Sequence, residues 1–146
     1  MTFEKSCGAV VFRNENDNKS GESKRYVLMI KHSVHSHHSF PKGHVELGES
    51  EIMTAEREVF EETSVKIKIS EGFRQPVYYK PKPGVKKEVI YFLAFTDQKD
   101  ISPRPGEIAR VEWVSVDRAK ALLTHDNDKR VLDLAMQYVE EKIDHK

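Results

Sequence analysis

The most constraining feature of the sequence is the concentration of glutamates between positions 49 and 62. This segment of fourteen residues contains one basic residue, Arg57, whereas the whole chain has 24 basic and 24 acidic residues and no net charge. The acidic residues are Glu49, Glu51, Glu56, Glu58, Glu61 and Glu62. Like charges three or four positions apart oppose a helix, but carboxylates that share a divalent cation no longer repel each other, because Mg²⁺, Mn²⁺ and Ca²⁺ take oxygen ligands. The segment therefore predicts a metal site, with a solvated acidic helix face as the alternative.

Length and composition predict one globular domain that spans residues 1–146. No apolar run approaches the roughly 18 residues of a membrane span, and the N-terminal residues lack the pattern of a secretory signal. Cys7 is the only cysteine, which excludes an intrachain disulfide and a cysteine-built zinc site. A net charge of zero argues against an obligate nucleic-acid partner. We therefore expect a cytoplasmic monomer or weak dimer without a membrane partner.

Hydrophobic patterning divides the chain into strands and loops. Short runs rich in β-branched and aromatic residues predict strands at residues 6–13, 25–31, 66–73, 77–80, 88–96 and 108–114. The run at 88–96 has the highest β-propensity and predicts a central strand. Loops are expected at 14–24, 32–48 and 97–106, and a turn is expected at 81–84, where prolines and a glycine interrupt the ladder.

Three helices complete the predicted pattern. Ser50 can cap a helix that runs from residue 51 to about Thr63, and further helices are predicted at 117–123 and 126–143. The last helix has an apolar stripe that would face the core, formed by Val131, Leu134, Ala135, Tyr138 and Val139. Strands that dominate the first two-thirds of the chain and mix with helices predict an α/β or α+β sandwich with a mixed sheet.

The geometry of the first helix brings three of its glutamates together. At about 100° per residue, Glu58, Glu61 and Glu62 project within roughly 100° of one another. The neighbouring arc is apolar and must face the core; it contains Ile52, Ala55 and Val59. Glu62 therefore lies at the edge of the buried face, where an unpaired carboxylate is costly and a bound cation would satisfy it.

The order of residues favours the metal site over the solvated face. Gly43 is followed after five residues by Glu49, and after seven more by the run 57–62, REVFEE. This arrangement, completed by Val65, resembles the Nudix box, Gly-x5-Glu-x7-Arg-Glu-U-x-Glu-Glu-x-Gly-U, in which U is aliphatic. Ser64 is the one departure and stands where the family has glycine. A glycine suits a left-handed helix stop, so the serine must accept strain or end the helix differently.

The Nudix resemblance implies an α/β/α sandwich with a central mixed sheet. It also implies a hydrolase of nucleoside diphosphates linked to another group, with two or more Mg²⁺ or Mn²⁺ ions per site. The implied metal ligands are the Gly43 carbonyl, Glu58, Glu61, Glu62 and, in a later loop, Glu107. Arg57 and Glu49 would form a supporting ion pair that positions the loop over the helix.

The general base is left open between glutamates. Glu58 is the first choice, and Glu107, in the loop before the last strand, is the alternative because the role varies among relatives. Glu112 comes third, since beside Trp113 it is expected to face solvent from a strand.

Three flanking segments narrow the substrate that the resemblance implies. Residues 6–13, 37–46 and 86–94 look like the asymmetrical diadenosine tetraphosphate hydrolases. Such enzymes cut a dinucleoside tetraphosphate into a triphosphate and a monophosphate, here ATP and AMP. The alternatives within the family are a diphosphoinositol polyphosphate, an RNA 5′ end or a damaged nucleotide. Outside these, the alternatives are a nucleotide-sensing module that does not cleave and an inert domain with an acidic interaction helix.

Basic and aromatic residues around the box are candidates for substrate binding. They are His38, Lys42, His44, Tyr79, Lys82 and Lys87. The basic residues would contact phosphates, and Tyr79 would stack on the base, because its neighbour Tyr78 faces the other side of the strand. A zinc site in the histidine-rich loop is the alternative use of His32, His35, His37 and His38.

Overall fold

The computed structural model of the chain describes residues 1–16 and 19–144. These residues form seven strands and three helices. In chain order they are β1 (Thr2–Asn16), β2 (Ser23–His32), β3 (His38–Ser39), β4 (Lys42–His44), α1 (Glu51–Thr63), β5 (Ile69–Lys82), β6 (Val85–Phe95), β7 (Ile108–Ser115), α2 (Val116–Leu122) and α3 (Asp126–Lys142). None of the described helices is long and apolar enough to cross a membrane.

The strands form one mixed sheet with the order β3-β2-β1-β6-β5, in which β4 also pairs with β1 and β7 with β2. The pair β1–β6 is parallel, from Thr2 opposite Val85 to Phe12 opposite Phe95, and the other pairs are antiparallel. The run predicted as a central strand is thus β6, between β1 and β5. The prediction of a mixed sheet is confirmed.

The two faces of the sheet bury separate cores, because successive residues of a strand point to opposite sides. On one face, Ala55 and Val59 of α1 pack with Cys7, Val11 and other strand residues. On the other face, residues of α2 and α3 cover a second cluster that includes Phe12 and Tyr91. Helices on both faces of one sheet make the α/β/α sandwich that the resemblance implies.

The first helix has the predicted bounds. The Ser50 hydroxyl accepts a hydrogen bond from the Met53 amide at 3.1 Å, which caps the N-terminus. Ser64 ends the helix in the left-handed conformation, with φ +64°, and its amide donates to the Phe60 carbonyl at 2.8 Å. The serine therefore takes the conformation for which the family uses glycine, rather than ending the helix in another way.

Several predicted boundaries are wrong in the middle of the chain. The strands predicted at 66–73 and 77–80 are one strand, β5, whose register shifts between Ser70 and Gln75. Gly72, with φ +117°, lies in that irregularity, which bends the strand without ending it. The turn predicted at 81–84 is limited to residues 83–84, because Lys82 still pairs with Val85. Pro81 is tolerated because β5 is an edge strand.

Two of the three predicted loops are shorter than expected, whereas the loop predicted at 97–106 is present between β6 and β7. The loop at 32–48 contains β3 and β4, which pair with β2 and β1 respectively. The loop at 14–24 is narrowed by longer flanking strands, and its residues 17 and 18 lie outside the described residues. The last two helices match their predictions to within one residue.

Candidate active site

The pairing of β4 with β1 places Gly43 against the first helix. Cys7 lies opposite Gly43 in this ladder, and a Cβ added at position 43 would overlap the carboxylate of Glu58. Only glycine leaves room for that side chain. The first and the later parts of the box are thus in direct contact.

Arg57 and Glu49 form the ion pair that the resemblance implies. The Arg57 Nε donates to Glu49 Oε2 at 2.6 Å and Nη2 donates to Oε1 at 2.9 Å, a two-bond contact. Nη2 also donates to the His44 carbonyl at 2.9 Å, which ties the loop to the helix. The hydrogen bonds from Arg57 lower the pKa of Glu49 to about 2. Glu49 is therefore charged and fixed at neutral pH.

Glu58 and Glu62 are buried carboxylates on adjacent turns of α1. Glu62 is 1% exposed, and its Oε1 accepts a hydrogen bond from the Lys42 amide at 2.8 Å. Burial raises the pKa of Glu62 to about 8, although the Lys42 hydrogen bond opposes the shift. Burial also raises the pKa of Glu58, against a hydrogen bond of 2.7 Å from Arg57. These environments disfavour negative charge unless a cation is present.

Glu61 and Glu107 complete the acidic cluster from the solvent side. The Arg104 Nη1 lies 3.2 Å from Glu61 Oε2 and 3.5 Å from Glu107 Oε2, so one guanidinium contacts both side chains. Arg57 also reaches Glu61 Oε2, at 3.2 Å. Glu112, the third candidate base, is on β7 and pairs with Arg110 at 3.1 Å.

The acidic cluster has the donor chemistry of a site for a hard cation. Its four carboxylates, from Glu58, Glu61, Glu62 and Glu107, are oxygen donors of the kind that Mg²⁺ and Mn²⁺ take. In the described residues, no group of three or more His, Cys, Asp or Glu side chains is already arranged to hold a metal ion, and arginines contact three of these carboxylates. Oε2 of the buried Glu62 receives no hydrogen bond from residues 1–16 and 19–144. A cation would supply the missing partner, so the residues fit the implied metals.

A cavity of about 790 Å³ opens beside the acidic cluster. Its lining residues include Lys42, Lys87 and Glu107 towards the cluster. The other lining residues are His32, Val34, His35, His37, Tyr79, Lys80, Pro81, Val89, His125 and Asp128. Burial, and then the charge of Lys42, lowers the pKa of Lys87. No carboxylate of the described residues lies within 4.0 Å of the ammonium of Lys42 or Lys87, so both are available to an anion.

The structure brings three of the six candidate substrate-binding residues to this cavity: Lys42, Tyr79 and Lys87. The remaining three are His38, His44 and Lys82, which do not line it. His38 pairs in β3, where its amide donates to Thr124 Oγ1 at 2.9 Å. His44 is exposed, and Lys82 lines a separate groove at the β5–β6 turn.

Other residues at the site have no signal in the sequence. His125 and Asp128 reach the cavity from the start of α3, and His125 lies near His37, with ring centroids 5.1 Å apart. The ring centroids of Tyr79 and His125 are 5.8 Å apart. These residues are distant from the box in sequence, so only the packing of α3 brings them to it. The position of Arg104 beside the acidic cluster likewise could not be predicted from the sequence, because this residue lies in a loop without periodicity.

Comparison with known proteins agrees with this geometry. The family model described as NUDIX domain matches residues 4–135. The chain belongs to the Nudix hydrolase family. This confirms the predicted family and its enzymatic class. The Nudix hydrolase is 34% identical over 142 residues to the pig protein named bis(5′-nucleosyl)-tetraphosphatase [asymmetrical], with 92% of this chain and 95% of that protein covered.

Two further comparisons extend the Nudix assignment. The solved structure of a C. elegans Ap4A hydrolase binary complex superposes with a TM-score of 0.82 at 25% identity, covering 94% of this chain and 98% of that one. The match confirms the predicted fold. The 8-oxo-(d)GTP phosphatase of Mycolicibacterium smegmatis is 30% identical over 131 residues, but this Nudix chain covers only 40% of that protein.

Proposed function

We propose that this Nudix hydrolase cleaves dinucleoside polyphosphates, and diadenosine tetraphosphate in particular, to ATP and AMP by attack of water on a phosphorus. The observation that carries the proposal is the cavity beside the acidic cluster, which Lys42 and Lys87 line together with Tyr79 and His125. A ligand with several phosphates and a base matches this lining. Similarity over nearly the whole length to the pig tetraphosphatase supports the same substrate.

The proposed cofactor is Mg²⁺ or Mn²⁺, with two or more ions per site. Glu58, Glu61, Glu62 and the Gly43 carbonyl would hold them, with Glu107 at the outer edge. Bound ions of this kind neutralise charge on phosphate oxygens and lower the pKa of water. Arg57 holds Glu58 in place and is itself fixed by Glu49, so the ligands are positioned before substrate arrives.

Glu58 is the proposed general base, with Glu107 as the second candidate. Glu58 lies at the centre of the acidic cluster and its pKa is raised by burial, which brings its proton affinity nearer to that needed at neutral pH. Lys42 and Lys87 would balance the charge of the polyphosphate and orient it past Glu58. Tyr79 and His125 would contact the base, which leaves the reacting phosphorus beside the acidic cluster.

The decisive experiment is product analysis in ¹⁸O-labelled water with Mg²⁺. The purified protein is incubated with diadenosine tetraphosphate, a diphosphoinositol polyphosphate, a 5′-triphosphorylated RNA and 8-oxo-dGTP. We expect ATP and AMP from the first substrate, with the label in one product only, which identifies the phosphorus attacked. Failure to release these products would contradict the proposal, and faster cleavage of another member of the panel would assign that substrate instead.

A variant pair separates an enzyme from a nucleotide sensor. Glu62→Gln should lower turnover by roughly 100-fold or more, because the proposed metal site loses one of its carboxylate ligands and so stabilises the charge of the transition state less well. Glu56→Gln is the matched control on the same helix, since glutamine can still accept the hydrogen bond that the Ile69 amide gives Glu56 at 3.0 Å. A sensor would show no turnover in either variant or in the parent, with ligand binding retained.

We also propose that the protein works in the cytoplasm as a monomer or weak dimer. The single cysteine supports this compartment, because the chain forms no intrachain disulfide, as is usual where thiols stay reduced. Cell fractionation and sedimentation at micromolar concentration test the two parts of the proposal.

A further inference from the structure

We propose that Asp128 determines base specificity, by accepting an N–H hydrogen bond from the purine that enters the cavity. The ligand class is a nucleotide whose base presents an amino group, as adenine does at position 6. The inference rests on the proposed function in one respect: it assumes that a nucleotide base occupies the end of the cavity lined by Tyr79 and His125.

Asp128 is a buried carboxylate in the first turn of α3. It is 1% exposed, yet it lines the cavity together with Tyr79, Val89 and His125. Its amide donates to the His125 carbonyl at 3.1 Å, which fixes the backbone at this point. The side chain therefore lies in the wall of the cavity, beside Tyr79.

The carboxylate of Asp128 has fewer partners than its burial demands. Its Oδ1 accepts a hydrogen bond from the Tyr79 hydroxyl at 2.6 Å. In residues 1–16 and 19–144, no side-chain cation lies within 4.0 Å of it, and Oδ2 receives no hydrogen bond. A carboxylate can accept about four hydrogen bonds, and buried charges are normally paired or fully hydrogen-bonded. Asp128 thus has acceptor capacity left over.

A second buried polar group lies beside the same carboxylate. The Tyr91 hydroxyl is fully buried and makes no hydrogen bond of good geometry. Burial, followed by the charge of Asp128, raises the pKa of Tyr91, and the Tyr91 hydroxyl is near enough to interact with both Asp128 and Tyr79. The surrounding core is otherwise apolar. Even with the hydroxyls of Tyr79 and Tyr91 beside it, a carboxylate that can accept about four hydrogen bonds keeps acceptor capacity for a ligand.

Recognition of a base uses that capacity. Lys42 and Lys87 favour phosphates in the cavity, whereas the Asp128 carboxylate is a pure acceptor that disfavours a phosphate beside it and matches an N–H donor. A base that offers an N–H to Oδ2 completes the hydrogen bonding of the carboxylate. A base without that donor leaves a buried charge unpaired, and sites of this kind reject analogues strongly. Tyr79 provides the ring beside the base and, through its hydroxyl, holds the carboxylate in place.

The test compares AMP with purine riboside 5′-monophosphate, which lacks only the 6-amino group. Binding is measured by calorimetry on the full chain with Mg²⁺. We expect the parent protein to bind AMP about 10-fold more tightly than the analogue, the lower end of the range for a hydrogen bond to a charged group. Equal affinities of the parent for the two nucleotides would overturn the inference without the need for any variant.

Asp128→Asn then tests the residue itself. Asparagine has the same shape and can still accept the Tyr79 hydroxyl, but it has lost the charge, so the preference for AMP should fall to within about 2-fold. Asp126→Asn, in the same turn of α3 and exposed, is the control and should keep the full preference. A preference that survives in Asp128→Asn would overturn the inference.

The outcome also separates this inference from the proposed function. If diadenosine tetraphosphate is cleaved to ATP and AMP while the two monophosphates bind equally, only the role of Asp128 is wrong. If neither monophosphate binds and no member of the substrate panel is cleaved, the occupancy of the cavity by a nucleotide is wrong, and both proposals fall.

Discussion

Gly43 and Glu58 compete for the same small volume, and the site exists because Gly43 has no side chain. The Glu58 carboxylate lies where a Cβ of residue 43 would be. The two residues are far apart in the sequence, but both occupy fixed positions of the box, so the spacing of the box already relates them. The requirement is steric, because Gly43 is not among the glycines with a positive φ.

We predict that Gly43→Ala lowers kcat/KM by on the order of 10- to 100-fold, since displacement of a catalytic group by about 1 Å costs that much. Overpacking should also destabilise the fold by about 1–3 kcal/mol. Steady-state kinetics and urea unfolding measure the two effects. Gly21→Ala is the control: Gly21 has φ +72° and open space around it, so this variant should lose about 1 kcal/mol of stability and no turnover. Equal kinetic losses in both variants would contradict the steric account.

At the scale of elements, the end of α1 carries a strained residue. Ser64 has φ +64°, a region that costs a residue with a Cβ roughly 1 kcal/mol or more. We predict that Ser64→Gly stabilises the protein by about 0.5–1 kcal/mol, although it loses a weak hydrogen bond of 3.3 Å to the Ser102 carbonyl. Ser64→Ala should give no such gain. Thermal unfolding checks the pair, and a similar rise in both variants would show that backbone conformation is not the cause.

The start of α1 is tied to the sheet by Glu51, which is neither solvated nor part of the metal cluster. Its carboxylate accepts from Arg74 Nε at 2.8 Å and pairs with Lys5 of β1. The hydrogen bonds from Arg74, and after them the one from Lys5, lower the pKa of Glu51 from 4.5 to about 2. Because the folded pKa is the lower one, the stabilisation is present above pH 4.5 and is lost as the pH falls to 2.

We therefore predict that Glu51→Gln destabilises the protein by about 1 kcal/mol at pH 7 and flattens the loss of stability between pH 4.5 and 2. The estimate is small because Arg74 and Lys5 are 49% and 42% exposed, so solvent screens the pairs. Urea unfolding across this pH range measures the effect. Glu71→Gln, at an exposed position of β5, is the control. An unchanged acid profile in Glu51→Gln would refute the linkage.

The helices and strands that could be predicted are those whose own residues carry a cap, an apolar periodicity or a run of β-prone residues. The bounds of α1 follow from the cap at Ser50 and the apolar arc of the helix, and β6 follows from its run of β-prone residues. The strands β3 and β4 span two and three residues, too few for any periodicity, and exist because their neighbours offer ladder partners. The strand β5 continues through a register shift between Ser70 and Gln75, whereas the sequence pattern predicts a break at residues 74–76.

The site divides in the same way. Most of the acidic cluster could be predicted because Gly43, Glu58, Glu61 and Glu62 share one helix and one adjoining strand, so their spacing fixes their geometry. The part of the cavity that is proposed to contact the base could not be predicted as a unit, because Tyr79, His125 and Asp128 lie on β5 and at the start of α3 and meet only through tertiary packing. Strand alternation alone predicted Tyr79. His38 and Lys82 were candidates by charge, but the direction of their side chains depends on pairings that composition does not specify.

At the scale of the whole molecule, we expect the acidic cluster to make stability depend on a divalent metal. Buried carboxylates that repel one another should gain from a cation more than the unfolded chain does. We predict that Mn²⁺ at 100 times its Kd raises the unfolding free energy by about 2.7 kcal/mol. The double variant Glu58→Gln/Glu62→Gln should show no increase, and its stability without metal should equal or exceed that of the parent. Thermal shift with and without chelator, at constant ionic strength, measures both. A Mn²⁺ response that persists in the double variant would place the ion elsewhere.

The parallel ladder between β1 and β6 also governs the order in which the molecule can be assembled. Thr2 pairs with Val85, so one edge of β1 stays open on the ribosome until most of the chain has been synthesised. Its other edge is filled much earlier, by β2 and β4. The carboxylates of α1 are thus translated before Glu107 and before β5, β6 and α3, which carry the residues proposed to contact the base. We therefore expect closure of that long-range ladder to be the slow, non-local event of folding, with the open edge of β1 exposed to aggregation until it happens.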